Sequence, residues 1–106
     1  MKFPIKTISE ANAREHWAAK NKRKKSQQKD FTLLWRTFKP EIPLPATIIF
    51  TRYSCKLMDA DNLAGSFKHV QDALAKELGI DDGLLKWEYR QERISKRDHY
   101  FTVSWE

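Results

Sequence analysis

The chain has 106 residues, enough for one domain and little more, and its 41% hydrophobic and 12% aromatic content supports a modest core. Twenty lysines and arginines stand against 14 acidic residues, a formal net charge of +6 that favours polyanionic partners over basic or apolar ones. A single cysteine, Cys55, excludes an internal disulfide and a cysteine-cluster metal site, and no apolar run approaches the roughly 20 residues of a membrane span. The opening MKFPIKTISE carries no signal-peptide apolar region, so the expected location is cytoplasmic, without a membrane partner.

Phe3 to Ile8 alternates apolar and polar residues and predicts a strand. Ser9 offers a helix cap before Glu10, and from there to about Phe38 the residues are good helix formers without glycine or proline. From Arg14 to Lys29 the chain places Arg14, Lys20, Lys22, Arg23, Lys24, Lys25 and Lys29 against one acid, Glu15. Such a run fits phosphate neutralisation with counterion release, and it equally fits a solvated helix face. Residues 20–30 lack an apolar stripe, so either one helix continues through them or a basic loop, mobile without DNA, separates two.

Pro40, Pro43 and Pro45 make a stiff connection that no helix continues through. Ala46 to Tyr53 is rich in β-branched and aromatic residues, and its nearly continuous hydrophobicity predicts a central strand covered on both faces. Asp61 to Leu78 predicts an amphipathic helix with Leu63, Phe67, Val70, Leu74 and Leu78 on one stripe, ending at Gly79. Asp81-Asp82-Gly83 is a turn signal. Leu85, Trp87 and Tyr89 alternate with polar residues, as do Phe101, Val103 and Trp105, and the polar segment Ser95 to Asp98 between them suggests a hairpin. The sum is a single α+β domain over residues 1–106, a two-layer β-α-β-α-β-β arrangement with helices packed on a small mixed sheet.

The chemistry-bearing residues cluster from Asp59 to Asp82. On one continuous helix, at about 100° per residue, Lys68 and Asp72 each fall about 20° from Asp61, opposite the apolar stripe. Asp59 and Asp61 are two apart and can aim their carboxylates the same way, while Asp81 and Asp82 come from the turn after the helix. Carboxylates from separate segments repel unless a cation lies between them, and Mg²⁺, with Mn²⁺ as a substitute, suits oxygen donors and activates water. Lys68 could then stabilise charge on a phosphate. The same residues also serve as a helix cap (Asp59 or Asp61), a plain turn (Asp81-Asp82) and a surface ion pair (Lys68 with Asp72). His16, His69 and His99 lack zinc-ligand spacing, and Trp17, Trp35, Trp87 and Trp105 fit core positions as well as base stacking.

Asp59-Ala60-Asp61-Asn62-Leu63, Lys68, Asp72-Ala73-Leu74 and Gly79-Ile80-Asp81-Asp82, in that order, resemble the core of the RusA-type Holliday-junction resolvases, over about the C-terminal two-thirds of the chain. The resemblance implies a Mg²⁺-dependent endonuclease for branched DNA in recombination and repair, without a small-molecule cofactor. It implies Asp59 and Asp61 as metal ligands, Asp82 or else Asp81 as the third acidic residue, and Lys68 as the catalytic lysine. The basic residues Arg14, Lys20, Lys22, Arg23, Lys24, Lys25 and Lys29 would hold the DNA backbone. Symmetric nicking of a four-way junction calls for two sites about a two-fold axis, hence a homodimer. Two features depart from the family pattern. The lysine follows Asn62 after five residues where the family usually has two, a displacement of about 60° and about 4.5 Å along a helix. The proline-rich N-terminal signature is absent. A non-catalytic DNA-binding or protein-interaction module on the same scaffold is the alternative left open.

Overall fold

The computed structural model describes residues 1–7, 17–38, 40–79, 84–95 and 99–106. Strand β1 (Lys2–Phe3) is followed by helix α1 (Trp17–Phe38), strand β2 (Ala46–Ser54), helices α2 (Ala60–Ser66) and α3 (Lys68–Leu78), and strands β3 (Leu85–Arg93) and β4 (Tyr100–Trp105). The three helices pack on a four-stranded mixed sheet of order β1-β4-β2-β3, the α+β class expected. Strands β2 and β3 run parallel, from Ala46 opposite Leu85 to Ser54 opposite Arg93, whereas β4 is antiparallel to both β2 and β1. No helix among the described residues is long and apolar enough to cross a membrane.

The period-2 pattern puts Ala46, Ile48 and Phe50 of β2 and Phe101 and Val103 of β4 on the helix side, with Leu85 of β3 and Phe3 of β1. Phe31 and Trp35 of α1, Leu63 of α2, and Val70, Ala73 and Leu74 of α3 close the core over them. Aromatic rings form its spine. Phe3 stands 4.8 Å from Phe31 and 5.2 Å from Phe101, while Phe67 stacks on Phe50 at 5.0 Å and meets Phe101 edge-on at 5.4 Å.

Three expectations are corrected by the structure, and of the two alternatives left open for residues 20–30 it shows the continuous helix. The first strand is only Lys2–Phe3, because Pro4 has no N–H to continue the ladder; Ile5 and Thr7 stay buried without pairing, and Ile8 lies outside the described residues. Residues 20–30 are helix throughout, docked by Gln27, Phe31 and Trp35 at i, i+4, i+8. Strands β3 and β4 do not form a hairpin, since β2 lies between them. The helices cover one face of β2 only. On the other face Lys86, Glu88, Arg90, Glu92 and Ser104 are exposed, and Ile49 is buried between Glu88 and Ser104 in register.

The stripe from Leu63 to Leu78 faces the core as its spacing requires, but in two helices. At Phe67 (φ −96°, ψ −1°) the N–H donates to Ala64 O at 3.2 Å, and the Ser66 hydroxyl donates to Leu63 O at 2.7 Å, which tightens the last turn of α2. Gly79 ends α3 with φ +59°, a left-handed conformation suited to glycine.

Candidate functional site

The segment between β2 and α2 crosses the end of the sheet and is held from below by two side chains. Gln91 of β3 accepts from Met58 N–H at 2.9 Å and donates through Nε2 to Met58 O at 2.6 Å. Arg52 of β2, only 6% exposed, donates through Nη1 to Lys56 O at 2.7 Å, and burial pulls its pKa down from the ordinary guanidinium value. The next residue after Met58 is Asp59.

Asp59 caps α2: its backbone is extended, and its Oδ1 accepts from Asn62 N–H at 2.9 Å. One oxygen is thereby engaged in a structural bond. Asp61 lies in the first helical turn, where a negative charge meets the positive end of the peptide dipoles. Both carboxylates are exposed.

Lys68 and Asp72 are exposed residues of α3. The interruption at Phe67 means that the angular phase carried from Asp61 along one helix does not extend to them. The five steps from Asp61 to Ser66 alone rise about 7.5 Å along α2, and the break at Phe67 follows before Lys68. Lys68 opens onto α1 and lines a groove of about 430 Å³ with Trp17, Lys20, Asn21, Lys24 and His69. Asp72 lines a neighbouring groove of about 560 Å³ whose walls include Lys24, Lys29, Arg36, Lys76 and Glu77. Across it Arg36 and Glu77 form a two-point ion pair at 2.7 and 3.1 Å, and the Gln28 amide donates to His69 O at 3.1 Å, fastening α1 to α3.

Asp81 and Asp82 lie outside the described residues. Their described neighbours Leu84 and Leu85 stand at the start of β3, where Leu85 pairs with Ala46. Asp59 and Asp61 follow Met58, which is tied to Gln91 near the far end of the same strand. Nine-residue strands are about 26 Å long between terminal Cα atoms, so the α2–α3 crossover leaves one end of the sheet and returns to the other. Among the described residues no group of three His, Cys, Asp or Glu could hold a metal ion.

Of the basic residues singled out, Lys20, Lys22, Arg23, Lys24, Lys25 and Lys29 all belong to α1, and Arg14 lies outside the described residues. The i, i+4 pair Lys20 and Lys24 joins Lys68 in one groove, a convergence of distant segments that no local pattern displays. Gln91 and Arg52 were passed over by sequence reasoning, and Trp17, weighed there between core and base stacking, is 72% exposed. A signal existed for Gln91: continuing Leu85, Trp87, Tyr89 by two places puts a polar amide on the core-facing side of β3, where it needs partners.

No protein-family model, curated protein or solved structure matches the chain.

Proposed function

We propose that the chain is a divalent-metal-dependent, structure-selective endonuclease acting on branched DNA, as its likeness to the RusA-type resolvases suggests, with its metal centre at Asp59 and Asp61. The observation that carries this is the pair of exposed carboxylates on a main chain held by Gln91 and Arg52. Their donor set is all oxygen: Oδ2 of Asp59 and both oxygens of Asp61 remain beside the one cap bond, which suits Mg²⁺ or Mn²⁺, ions that commonly use one or two carboxylates with waters and substrate phosphate. Bound there, the ion would supply an activated water and charge neutralisation at the scissile phosphate. Lys68 contributes a cation farther along the helix layer, and the lysines of α1 hold the strand. In the proposed homodimer Asp81 or Asp82 of the second copy is the candidate third acidic group.

A second reading, a non-catalytic DNA-binding module, is favoured by one specific observation. The described neighbours of Asp81 and Asp82 lie at the end of β2–β3 opposite Asp59, which works against a three-carboxylate centre within one chain. Incubation of the protein with an end-labelled four-way junction in Mg²⁺ or Mn²⁺ separates the two. Metal-dependent cleavage that Asp61→Asn abolishes while binding persists supports the nuclease. Tight binding by the wild type without cleavage in either metal supports the module.

A further inference from the structure

Strand order β1-β4-β2-β3 leaves two outer edges, and they differ. The β1 edge is two residues long and stops at Pro4, a short edge of the kind that discourages strand pairing. The β3 edge runs nine residues from Leu85 to Arg93, all of them described. Ile94 N–H donates to Ser54 O at 3.0 Å, so the even-numbered residues of β3 turn their peptide groups toward β2. Leu85, Trp87, Tyr89, Gln91 and Arg93 therefore direct N–H and C=O groups away from the sheet, and among the described residues no backbone group meets them. The even-numbered side chains, Lys86, Glu88, Arg90 and Glu92, stand on the solvent face with signs that alternate along the strand.

An edge guarded by charges of one sign repels a second copy of itself, whereas alternating signs can match one. In an antiparallel two-fold pair of β3 strands, the residue on the axis decides which charges meet. With Tyr89 on the axis, Glu88 faces Arg90 of the second copy and Lys86 faces Glu92 of the second copy, so every charge on the solvent face meets its opposite. Moving the axis to Glu88 or Arg90 sets that residue against itself, and an axis at Trp87 or Gln91 matches only half of the charges. The Tyr89 register also suits the backbone. The outward peptide groups of Tyr89 meet their own copies as a hydrogen-bonded pair, as do those of Trp87 with Gln91 and of Leu85 with Arg93. The charged pairs then fall at non-hydrogen-bonded positions, where side chains approach most closely. Within one strand Arg90 already donates to Glu88 at 2.8 Å, and this register joins two such pairs into a ring of alternating charges about the axis. We propose that β3 pairs antiparallel with β3 of a second copy about a two-fold axis at Tyr89, making one continuous sheet through both subunits. The proposal rests on the function proposed above only for the homodimer, whose interface it names. It also brings the start of the second copy's β3 alongside Gln91 and Arg93, at the end of the sheet where Gln91 holds Met58 before Asp59.

The test is sedimentation equilibrium of the full chain in metal-free buffer without nucleic acid. Glu88→Arg and Arg90→Glu each turn two attractive pairs into repulsive ones. Loss of two opposite-charge pairs alone should weaken self-association about 2- to 30-fold, and the repulsion adds to that. Combining Glu88→Arg with Arg90→Glu exchanges the signs and should restore most of the association. Mixing the two single variants should give a heterodimer, because each presents the charges that the other lacks, an outcome that damage to either fold cannot produce. Both side chains are exposed, so unchanged circular dichroism will show that the variants are folded. A chain that stays monomeric up to about 0.1 mM overturns the proposal and leaves the edge to a strand of another protein. A dimer that neither single reversal weakens, or single variants that fail to associate when mixed, overturns it as well. Cleavage plays no part in these outcomes: a dimer of this kind without nuclease activity upholds the interface, and a monomer that cuts junctions overturns it while the catalytic reading stands.

Discussion

The side-chain amide of Gln91 satisfies both main-chain groups of Met58, accepting from its N–H at 2.9 Å and donating to its carbonyl at 2.6 Å. A strand residue thus sets the position of the main chain immediately before Asp59. Gln91 shares β3 with Leu85, Trp87 and Tyr89, all directed to the helix side, so the same alternation that packs the core also delivers the amide to the loop.

Gln91→Ala should leave both Met58 groups without their protein partner and destabilise the fold by about 1–3 kcal/mol in chemical denaturation. Amide exchange at Met58 should accelerate more than exchange in β4. Unchanged protection at Met58 would show that water replaces the clamp at no cost.

Asp59 has a structural duty that can be separated from a metal-binding one. Asp59→Ala removes the α2 cap and should cost about 1 kcal/mol, whereas Asp59→Asn keeps an accepting oxygen and should cost only a few tenths, about 0.3 kcal/mol. Under the proposed function, Mg²⁺ raises the melting temperature of the wild type, and both Asp59→Asn and Asp61→Asn diminish that rise. A metal-induced shift that survives the double variant would remove the centre from these residues.

Phe67 is fully buried, stacked on Phe50 and edge-on to Phe101 at the junction of α2 and α3. Phe67→Ala should cost about 3–5 kcal/mol by urea unfolding, combining lost transfer energy with a cavity. A cost under about 1 kcal/mol would mean that the two helices collapse onto the sheet without it.

Hydrogen bonding from Arg36 holds the Glu77 carboxyl below its ordinary value of 4.5. A depressed folded pKa gives stability that is complete above the unfolded value and is lost as pH falls through the folded one. Wild type should therefore exceed Glu77→Gln in melting temperature above about pH 5, and the two should converge on acidification below 4.5. The pair is at the surface, so the difference should shrink in high salt. A gap that persists at the acidic end would assign the stabilisation to packing.

Much of the local architecture was legible in the residues. Leu63, Phe67, Val70, Leu74 and Leu78 declare a helix face through their spacing, and Ala46 to Tyr53 declares a strand through its β-branched content. Alternation in Leu85–Tyr89 and Phe101–Trp105 correctly assigns faces, yet it carries no information about neighbours, which is why a hairpin was expected where β2 intervenes. The continuity of α1 was hidden by its basic surface. Gln27, Phe31 and Trp35, four apart, are its buried residues, and Gln28 and Arg36 fasten it to α3.

The acidic segment shows the same division. That Asp59 precedes a helix and Asp61 lies in its first turn follows from residue type and position, because capping is satisfied within a few residues. Which groups surround them was decided by the parallel pairing of β2 and β3. This pairing brings Gln91 under Met58, while placing Leu84 and Leu85 at the far end of the sheet. Side-chain periodicity records which way a residue faces, a property of the nearest few peptide units. Adjacency between segments depends on which strand edges and helix faces exclude water together, and that is settled only when the whole chain has packed.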